Sequence, residues 1–256
     1  MSLLGNIFGG KKDTGPAGTE AYKPVYAWLA TDMHNHILPG IDDGSPDVET
    51  SLEFLRRYQA LGFRQVVASP HIRYPQFENN NEKIKEAFDR LENAPGRSEI
   101  PVQLVYSAEY YLDERFLELL NNDRLMPFGN NYVLTELSLG HRSFLDMDQL
   151  ATKMFEKGLR PILAHPERYL YWSKSPDVFH KLKSKGWLLQ VNLMSLLGYY
   201  GKPEQKTANY LFDEDLVDFI GTDAHRLKHF DVIAAIDDKI LQKLKSKYLI
   251  NNLINI

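Results

Sequence analysis

Seven short apolar runs rich in Val, Ile, Leu and Tyr recur along the chain, and each is predicted to be a strand. The segments between them carry apolar residues every three or four positions, as Leu52, Leu55 and Tyr58 do, which predicts amphipathic helices. This sustained alternation indicates an α/β fold with a parallel sheet, open or closed. The predicted strands are PVYAWLATDMH (24–34), RQVVASPH (64–71), VQLVYSAEYY (102–111), YVLTELS (132–138), RPILAHP (160–166), WLLQVN (187–192) and VDFIGTDAH (217–225), and the predicted helices span 47–62, 81–94, 113–122, 146–158 and 175–186.

The ends of the predicted helices carry capping residues. Asp47 and Ser175 are predicted N-caps, and Pro176 follows Ser175 at the first helical position. The segment 232–256 is predicted to be one final helix with an apolar face. Three glycines are predicted to close helices in the left-handed conformation, namely Gly62, Gly158 and Gly186.

The length of 256 residues suits one strand-and-helix domain, and we predict a flexible leader over 1–22 followed by a single domain over 23–256. The first residues lack the order of a signal peptide, and no apolar run is long enough to span a bilayer. We therefore expect a cytoplasmic protein without membrane insertion. The net charge of -4 makes nucleic acid a poor partner.

The chain has no cysteine, which excludes disulfides, thiolate ligands and a cysteine nucleophile. A metal site in this chain must therefore consist of histidine, carboxylate and water ligands.

Six of the seven predicted strands end in a histidine or an acidic residue, and the sixth strand ends near Asn192. The carboxyl ends of parallel strands share one face, and that face is where active sites lie. Residues two apart on a strand point the same way, so each pair at a strand exit can hold one ion. The residues at the exits are His34, His36, His71, Glu109, Glu136, His165, Asp223 and His225.

Asp42 and Asp43 follow the first strand in a loop bounded by Gly and Pro, and one of them is expected to reach over as a further ligand. About nine candidate ligands suit two or three ions. Imidazole mixed with carboxylate favours manganese, iron or zinc. A single buried histidine is more often a hydrogen-bonded core residue, so the prediction rests on the joint arrangement. His141, His180 and His229 are predicted surface or helix residues.

Arg168 follows His165 by three residues and has two interpretations. It is either a solvated loop arginine or an anion clamp, because its planar guanidinium matches phosphate oxygens. Its place beside the predicted metal ligands favours the clamp.

Six motifs together resemble the PHP (polymerase and histidinol phosphatase) superfamily. The stretches HILPGIDDG (36–44) and HPERY (165–169) are similar to the manganese-dependent protein-tyrosine phosphatases of bacterial capsule and exopolysaccharide operons. The resemblance runs from about Asp32 to about His225. The motifs are DMHNH (32–36), SPH (69–71), AEYY (108–111), TEL (135–137), AHPERY (164–169) and GTDAH (221–225).

The resemblance implies a distorted TIM-like (β/α)7 barrel of PHP type with three divalent transition-metal ions, manganese first and iron or zinc as other options. It implies that His34, His36, Glu109 and Asp223 hold one ion, that His71 and His165 share a second with Glu109, and that Asp43, Glu136 and His225 complete the centre. It also implies that Arg168 binds the substrate phosphate. Which of the two glutamates bridges the ions stays open.

The resulting hypothesis is a metal-dependent phosphomonoesterase that acts as a protein-tyrosine phosphatase. Its substrate is expected to be the phosphotyrosine tail of a polysaccharide-export tyrosine kinase, and the chain is a possible homo-oligomer. Asp223 or water is the expected proton donor, and a phenolate leaving group with a pKa of about 10 makes a strong acid optional. The alternatives are a small-molecule phosphatase acting on an ester such as histidinol phosphate, a nuclease-like enzyme, which the acidic net charge disfavours, and a non-catalytic metal-bound scaffold.

Overall fold

The computed structural model describes residues 22–142 and 145–254. The predicted leader lies outside the described residues except for Tyr22. The strands of the described part are β1 (Thr31–Asp32), β2 (Gln65–Ala68), β3 (His71–Ile72), β4 (Gln103–Tyr106), β5 (Glu109–Tyr111), β6 (Tyr132–Glu136), β7 (Arg160–Ala164), β8 (Leu188–Asn192) and β9 (Phe219–Gly221). The α-helices are α1 (Val48–Leu61), α2 (Asn81–Glu92), α3 (Glu114–Asn121), α4 (Met147–Glu156), α5 (Asp177–Ser184), α6 (Leu193–Leu196), α7 (Lys202–Asp213), α8 (Leu227–Ala234) and α9 (Asp238–Lys245).

The strands form two sheets, in the orders β1-β2-β4 and β3-β5-β6-β7-β8-β9. Every named strand pair in the described ranges is parallel. Helices separate most successive strands along the chain, as parallel pairing requires. The predicted α/β fold with parallel sheets is therefore confirmed.

Two of the predicted strands are each broken into halves that pair in different sheets. The run 64–71 gives β2 and β3, which are separated at Ser69 and Pro70, and the run 102–111 gives β4 and β5. Pro70 has no N–H to donate, but its carbonyl accepts a hydrogen bond from the Glu109 N–H at 3.0 Å. The breaks bring β3 and β5 together beyond the ends of β2 and β4.

The first predicted strand is much shorter than expected. Residues 25–29 form a turn, because the buried Tyr26 ring stacks on Phe63 at 5.3 Å and its hydroxyl donates to the Ile233 carbonyl. Beyond β1 the chain runs beside the segment that follows β9. The Asp223 N–H donates to the His34 carbonyl at 2.7 Å, and the His36 N–H donates to the Ala224 carbonyl at 3.1 Å.

Alternate residues of the strands contribute to two apolar clusters. Val133 and Leu163 belong to the larger cluster with the helices, whereas Leu134, Ile162 and Ala164 belong to a smaller one made mostly of strand residues. Alternation is the expected result when both faces of a strand are buried. The sheets therefore pack against helices on one face and against other strands on the opposite face.

Most of the predicted helix ends are confirmed. The Asp47 carboxylate accepts a hydrogen bond from the Thr50 N–H at 2.8 Å and caps α1. The prediction of Ser175 as an N-cap is wrong. Helix α5 begins at Asp177 with Pro176 in the N-cap position, and no side chain caps it. The three glycines all have positive φ, at 94° for Gly62, 70° for Gly158 and 86° for Gly186.

The prediction of a single final helix over 232–256 is also wrong. Two shorter helices, α8 and α9, are separated by a break near Ile236, and a 3₁₀ turn follows over Ile250–Leu253. The Asp237 side chain causes the restart, because its carboxylate accepts from the Ile240 N–H at 2.8 Å and caps α9. Among the described residues, no helix combines the length and apolar character needed to cross a membrane.

Candidate metal centre

The nine side chains that the sequence singles out as metal ligands lie together at the carboxyl ends of the strands. They form four overlapping groups within the described residues, and in each group the ligand atoms lie within 4.8 Å of one another. The groups are His36, Asp43, His71 and His225; His34, His36 and Asp223; His34, Glu109 and His165; and His71, Glu109 and Glu136. Shared members join the four groups into one centre.

Strand register positions several of these residues. In the β3–β5 pair, His71 lies beside Glu109, and in the β5–β6 pair Tyr111 lies beside Glu136. His165 and Asp223 follow the ends of β7 and β9, where their φ angles are 35° and 50°. Positive φ is costly for residues with a side chain and tends to occur at functional sites. The surrounding structure thus holds both residues in strained conformations that direct them to the centre.

The rings of His34 and His36 are each oriented by a second residue. The Nδ1–H of His34 donates to Gln190 Oε1 at 2.7 Å, and Nδ1 of His36 lies 2.8 Å from Asp42 Oδ2. A partner on Nδ1 fixes the tautomer and leaves the Nε2 lone pair available for a metal ion. The Nε2 atoms of both rings face Asp223, at 3.5 and 3.4 Å.

Glu109 lies at the middle of the cluster. Its Oε1 is 3.0 Å from His165 Nε2, and its Oε2 is 3.3 Å from His34 Nε2 and 3.1 Å from His71 Nδ1. Glu109 belongs to two of the four groups of described residues and Glu136 to one. The grouping differs from the one expected, because His71 and His165 fall in separate groups around Glu109 and Glu136 joins His71.

The loop after the first strand contributes both of its aspartates. Asp43 reaches over the centre as expected, with Oδ1 at 3.5 Å from His225 Nε2 and 3.7 Å from His71 Nε2. Asp42 is buried beneath it and supports His36. Gly44 makes this arrangement possible, because a Cβ there would lie 2.1 Å from the His36 carbonyl oxygen.

Buried ligand atoms without hydrogen-bond partners test whether the residues fit a metal centre. A buried polar atom without a partner is costly, so several in one place indicate that they serve a ligand. Nitrogen and carboxylate oxygen are the donors that manganese, iron and zinc take. In the described part of the chain these atoms include His34 Nε2, His36 Nε2, His71 Nδ1, Glu109 Oε2 and Glu136 Oε1. The residues therefore fit a centre for divalent cations.

The cluster also has strongly shifted pKa values. Burial lowers the pKa of His36, but the Asp42 carboxylate overcomes this and raises it to about 10. Burial raises the pKa of Glu109, whereas the imidazoles of His34 and His71 hold it well below its usual range. Glu109 is thus ionised, and a metal ion that binds His36 has to displace a proton from it.

Arg168 lines an open cleft of about 430 Å³ beside the centre. Its Nη1 donates to Asp223 Oδ2 at 3.1 Å, and its guanidinium lies 4.4 Å from the centroid of the Tyr200 ring. Tyr199 and Arg226 also line this cleft. Arg168 is therefore not a solvated loop residue, because its charged group is fixed between an acid and an aromatic ring at the edge of the ligand cluster.

Two amide side chains that support the candidate ligands were not predicted from the sequence to do so. Asn192 Nδ2 donates to Asp223 Oδ2 at 2.7 Å, and Gln190 Nε2 donates to Asn192 Oδ1 at 2.9 Å. Their two-residue spacing on β8 was the available signal, because it directs both amides to the same side. His229 is a helix residue, as predicted, and it is buried on α8, where its Nδ1 accepts from the His225 N–H at 3.2 Å.

The fold and the site define an α/β protein with parallel sheets and a buried histidine–carboxylate centre suited to several divalent ions. Residues 30–254 match the family described as capsular polysaccharide synthesis, CpsB/CapC, and the chain belongs to that family. The resemblance to bacterial capsule and exopolysaccharide phosphatases is thereby confirmed.

Named relatives share most of their length with this chain. Tyrosine-protein phosphatase YwqE of Bacillus subtilis is 30% identical over 198 residues, covering 77% of this chain and 78% of the relative. The putative tyrosine-protein phosphatase CapC of Staphylococcus aureus is 29% identical over 197 residues, covering 77% of each protein. A crystal structure from work on YwqE of Bacillus subtilis and CpsB of Streptococcus pneumoniae, described as unique metal-dependent tyrosine phosphatases, superimposes with a TM-score of 0.75 at 26% identity, covering 88% of this chain and 90% of that one.

Proposed function

We propose that this protein is a metal-dependent protein-tyrosine phosphatase that hydrolyses phosphomonoesters at the candidate metal centre. The observation that carries the proposal is the gathering of nine candidate ligand side chains into one centre, all buried or partly buried except Asp43, beside a cleft lined by Arg168. The names of the relatives point to the same chemistry. Cysteine plays no part, because the chain has none.

We propose that the centre holds three divalent ions, manganese first among them. The nine residues of the four groups would be the ligands, and Glu109 is the best placed to bridge ions because it belongs to two groups. Divalent ions bound there would act as Lewis acids that activate water and offset the charge of the phosphate.

The protein's own residues bind and orient the phosphate. Arg168 presents a planar fork of donors toward the cleft, and Asp223 and Tyr200 hold that fork in position before substrate arrives. In the reaction, a water oxygen bonds to phosphorus and the bond to the tyrosine oxygen breaks, which gives tyrosine and inorganic phosphate. Asp223 is the proposed proton carrier: burial raises its pKa, but His34 and His225 hold it well below its usual range, so it would first take the proton of the attacking water and then pass it to the leaving oxygen. A phenolate with a pKa of about 10 leaves without strong assistance.

We propose that residues 23–256 form one domain whose strands close into a distorted (β/α)7 barrel. The backbone hydrogen bonds between the segments after β1 and β9 support closure at one end. Asn251 supports it at the other end, because its side chain donates to the carbonyls of Thr31 in β1 and Ile220 in β9.

The proposed substrate is a phosphotyrosine protein in the cytoplasm, namely the tail of a polysaccharide-export tyrosine kinase. This part of the proposal rests on family resemblance, as does the possible homo-oligomer. The proposal includes no nucleic acid partner and no membrane insertion.

A substrate panel with measured metal content tests the proposal. Purified protein loaded with manganese should hydrolyse p-nitrophenyl phosphate and phosphotyrosine peptides, and chelation should abolish both activities. A preference for histidinol phosphate over phosphotyrosine peptides would contradict the tyrosine phosphatase and favour a small-molecule enzyme. Bound metal without turnover of any substrate would favour the scaffold.

A further inference from the structure

A second cavity, of about 610 Å³, lies near the start of α7 and is lined by lysines around an apolar floor. The lysines are Lys174, Lys202 and Lys206, and the buried Phe179 forms part of the floor. None of the described residues that line the cavity is acidic. We call it the basic cavity.

The lysines of the basic cavity have no direct hydrogen-bond or ion-pair partner among the described residues. Lys174, Lys202 and Lys206 are exposed, and none makes an ion pair or hydrogen bond within the ranges the structure describes. By contrast, Lys157 and Lys243 each contact an aspartate, at 2.6 and 2.8 Å. A positive cluster of this kind in a chain with a net charge of -4 is suited to an anionic partner.

The position of two of the lysines on α7 also favours an anionic partner. Lys202 and Lys206 are four residues apart, so they share one face of the helix and repel each other. Lys202 is the first residue of α7, where the helix dipole already disfavours cations. Bound anionic groups would relieve both effects.

The basic cavity and the cleft of the metal centre are lined by residues that are close to each other along the chain. Tyr200 lines the cleft and Lys202 lines the cavity, so their Cα atoms are at most about 7 Å apart. Arg168 and Ser173 make the same connection through two consecutive 3₁₀ turns. A peptide with its phosphotyrosine in the cleft would then have its flanking residues near the lysines of the cavity.

We infer that the basic cavity binds acidic side chains that flank the phosphotyrosine of a protein substrate, an inference that rests on the proposed function. The lysines supply positive charge for carboxylates, and Phe179 and Tyr210 supply apolar contact for the rest of the peptide. A small phosphate ester held in the cleft would not reach this cavity, so recognition here selects proteins over small molecules.

The test compares two phosphotyrosine peptides that differ only in their flanks, one with glutamates on both sides of the phosphotyrosine and one with glutamines. Both are assayed with the full-length, manganese-loaded protein and with the variant Lys174→Gln/Lys202→Gln/Lys206→Gln. We expect KM for the glutamate peptide to rise about tenfold in the variant while kcat stays the same. KM for the glutamine peptide and for p-nitrophenyl phosphate should not change.

A matched control removes the same amount of charge elsewhere, through the variant Lys153→Gln/Lys239→Gln/Lys245→Gln on α4 and α9. This variant should keep the KM of the unmodified protein for the glutamate peptide. Equal KM values for the two peptides in the unmodified protein would overturn the inference, and so would an equal rise in the control variant. Failure of the unmodified protein to hydrolyse either peptide would instead contradict the proposed function.

Discussion

The hydrogen bonding of buried polar side chains differs between the two ends of the parallel strands. At the carboxyl ends, ligand atoms such as His34 Nε2 and Glu109 Oε2 are buried without hydrogen-bond partners. At the other end, Asn251 is fully buried and uses its whole side chain, because Oδ1 accepts from the Ile220 N–H and Nδ2 donates to two carbonyls. The satisfied amide joins the ends of the fold, whereas the unsatisfied cluster is suited to binding ions.

The largest expected effect is loss of the metal centre. His36→Ala removes a ligand shared by two of the groups found among the described residues, so bound metal and activity should fall together, activity by more than about a thousandfold. Elemental analysis and p-nitrophenyl phosphate turnover measure the two quantities. Replacing the exposed His141 by Ala is the matched control and should change neither. An active His36→Ala protein with full metal content would contradict the assignment.

Arg168→Ala should separate phosphate binding from metal binding. Its guanidinium contacts Asp223 at the edge of the cluster without belonging to any ligand group of the described residues. We expect kcat/KM to fall about a hundredfold, and inhibition by inorganic phosphate to weaken, at unchanged metal content. Loss of metal in this variant would show that Arg168 holds the centre together instead.

Gln190→Ala should have a smaller effect on the same centre. It removes the acceptor for His34 Nδ1–H, which frees the ring to turn and to change its tautomer. Metal affinity should fall about tenfold to a hundredfold, and excess manganese should restore activity. Calorimetric titration with manganese measures the affinity, and activity that excess metal does not restore would count against an orienting role.

Metal binding should become tighter as pH rises. The Asp42 carboxylate raises the pKa of His36 to about 10, so without metal this ring is protonated near neutral pH and an ion must displace the proton. Lower pH therefore weakens binding and higher pH strengthens it. Titrations in two buffers of different ionisation enthalpy should show proton release, and Asp42→Asn should reduce it. Heats that do not depend on the buffer would contradict this.

The smallest effect on catalysis should come from Asn251→Ala. The change leaves buried backbone groups of Thr31 and Ile220 without partners, so the free energy of unfolding should fall by about 1–3 kcal/mol. Metal content and turnover of the folded protein should stay the same. Denaturant unfolding measures the stability, and a loss of bound metal would remove the contrast between the two ends.

The clustering of the candidate ligands was predictable from the sequence because residue type and position carry the signal locally. His71 and Glu109 follow apolar runs, and parallel pairing then places them side by side. The break at Pro70 was harder to foresee, since it depends on which sheet each half joins. Gln190 and Asn192 were missed because neutral amides become informative only when their partners on other strands are known.

Anomalous X-ray diffraction from manganese-loaded crystals tests the metal centre most directly. We expect separate manganese peaks within the cluster, each about 2.0–2.3 Å from nitrogen or oxygen atoms of the four ligand groups, with Glu109 contacting more than one peak. A loaded crystal with no peak in the cluster, and with His34, His36 and Glu109 closed into direct hydrogen bonds, would contradict a metal centre at this site.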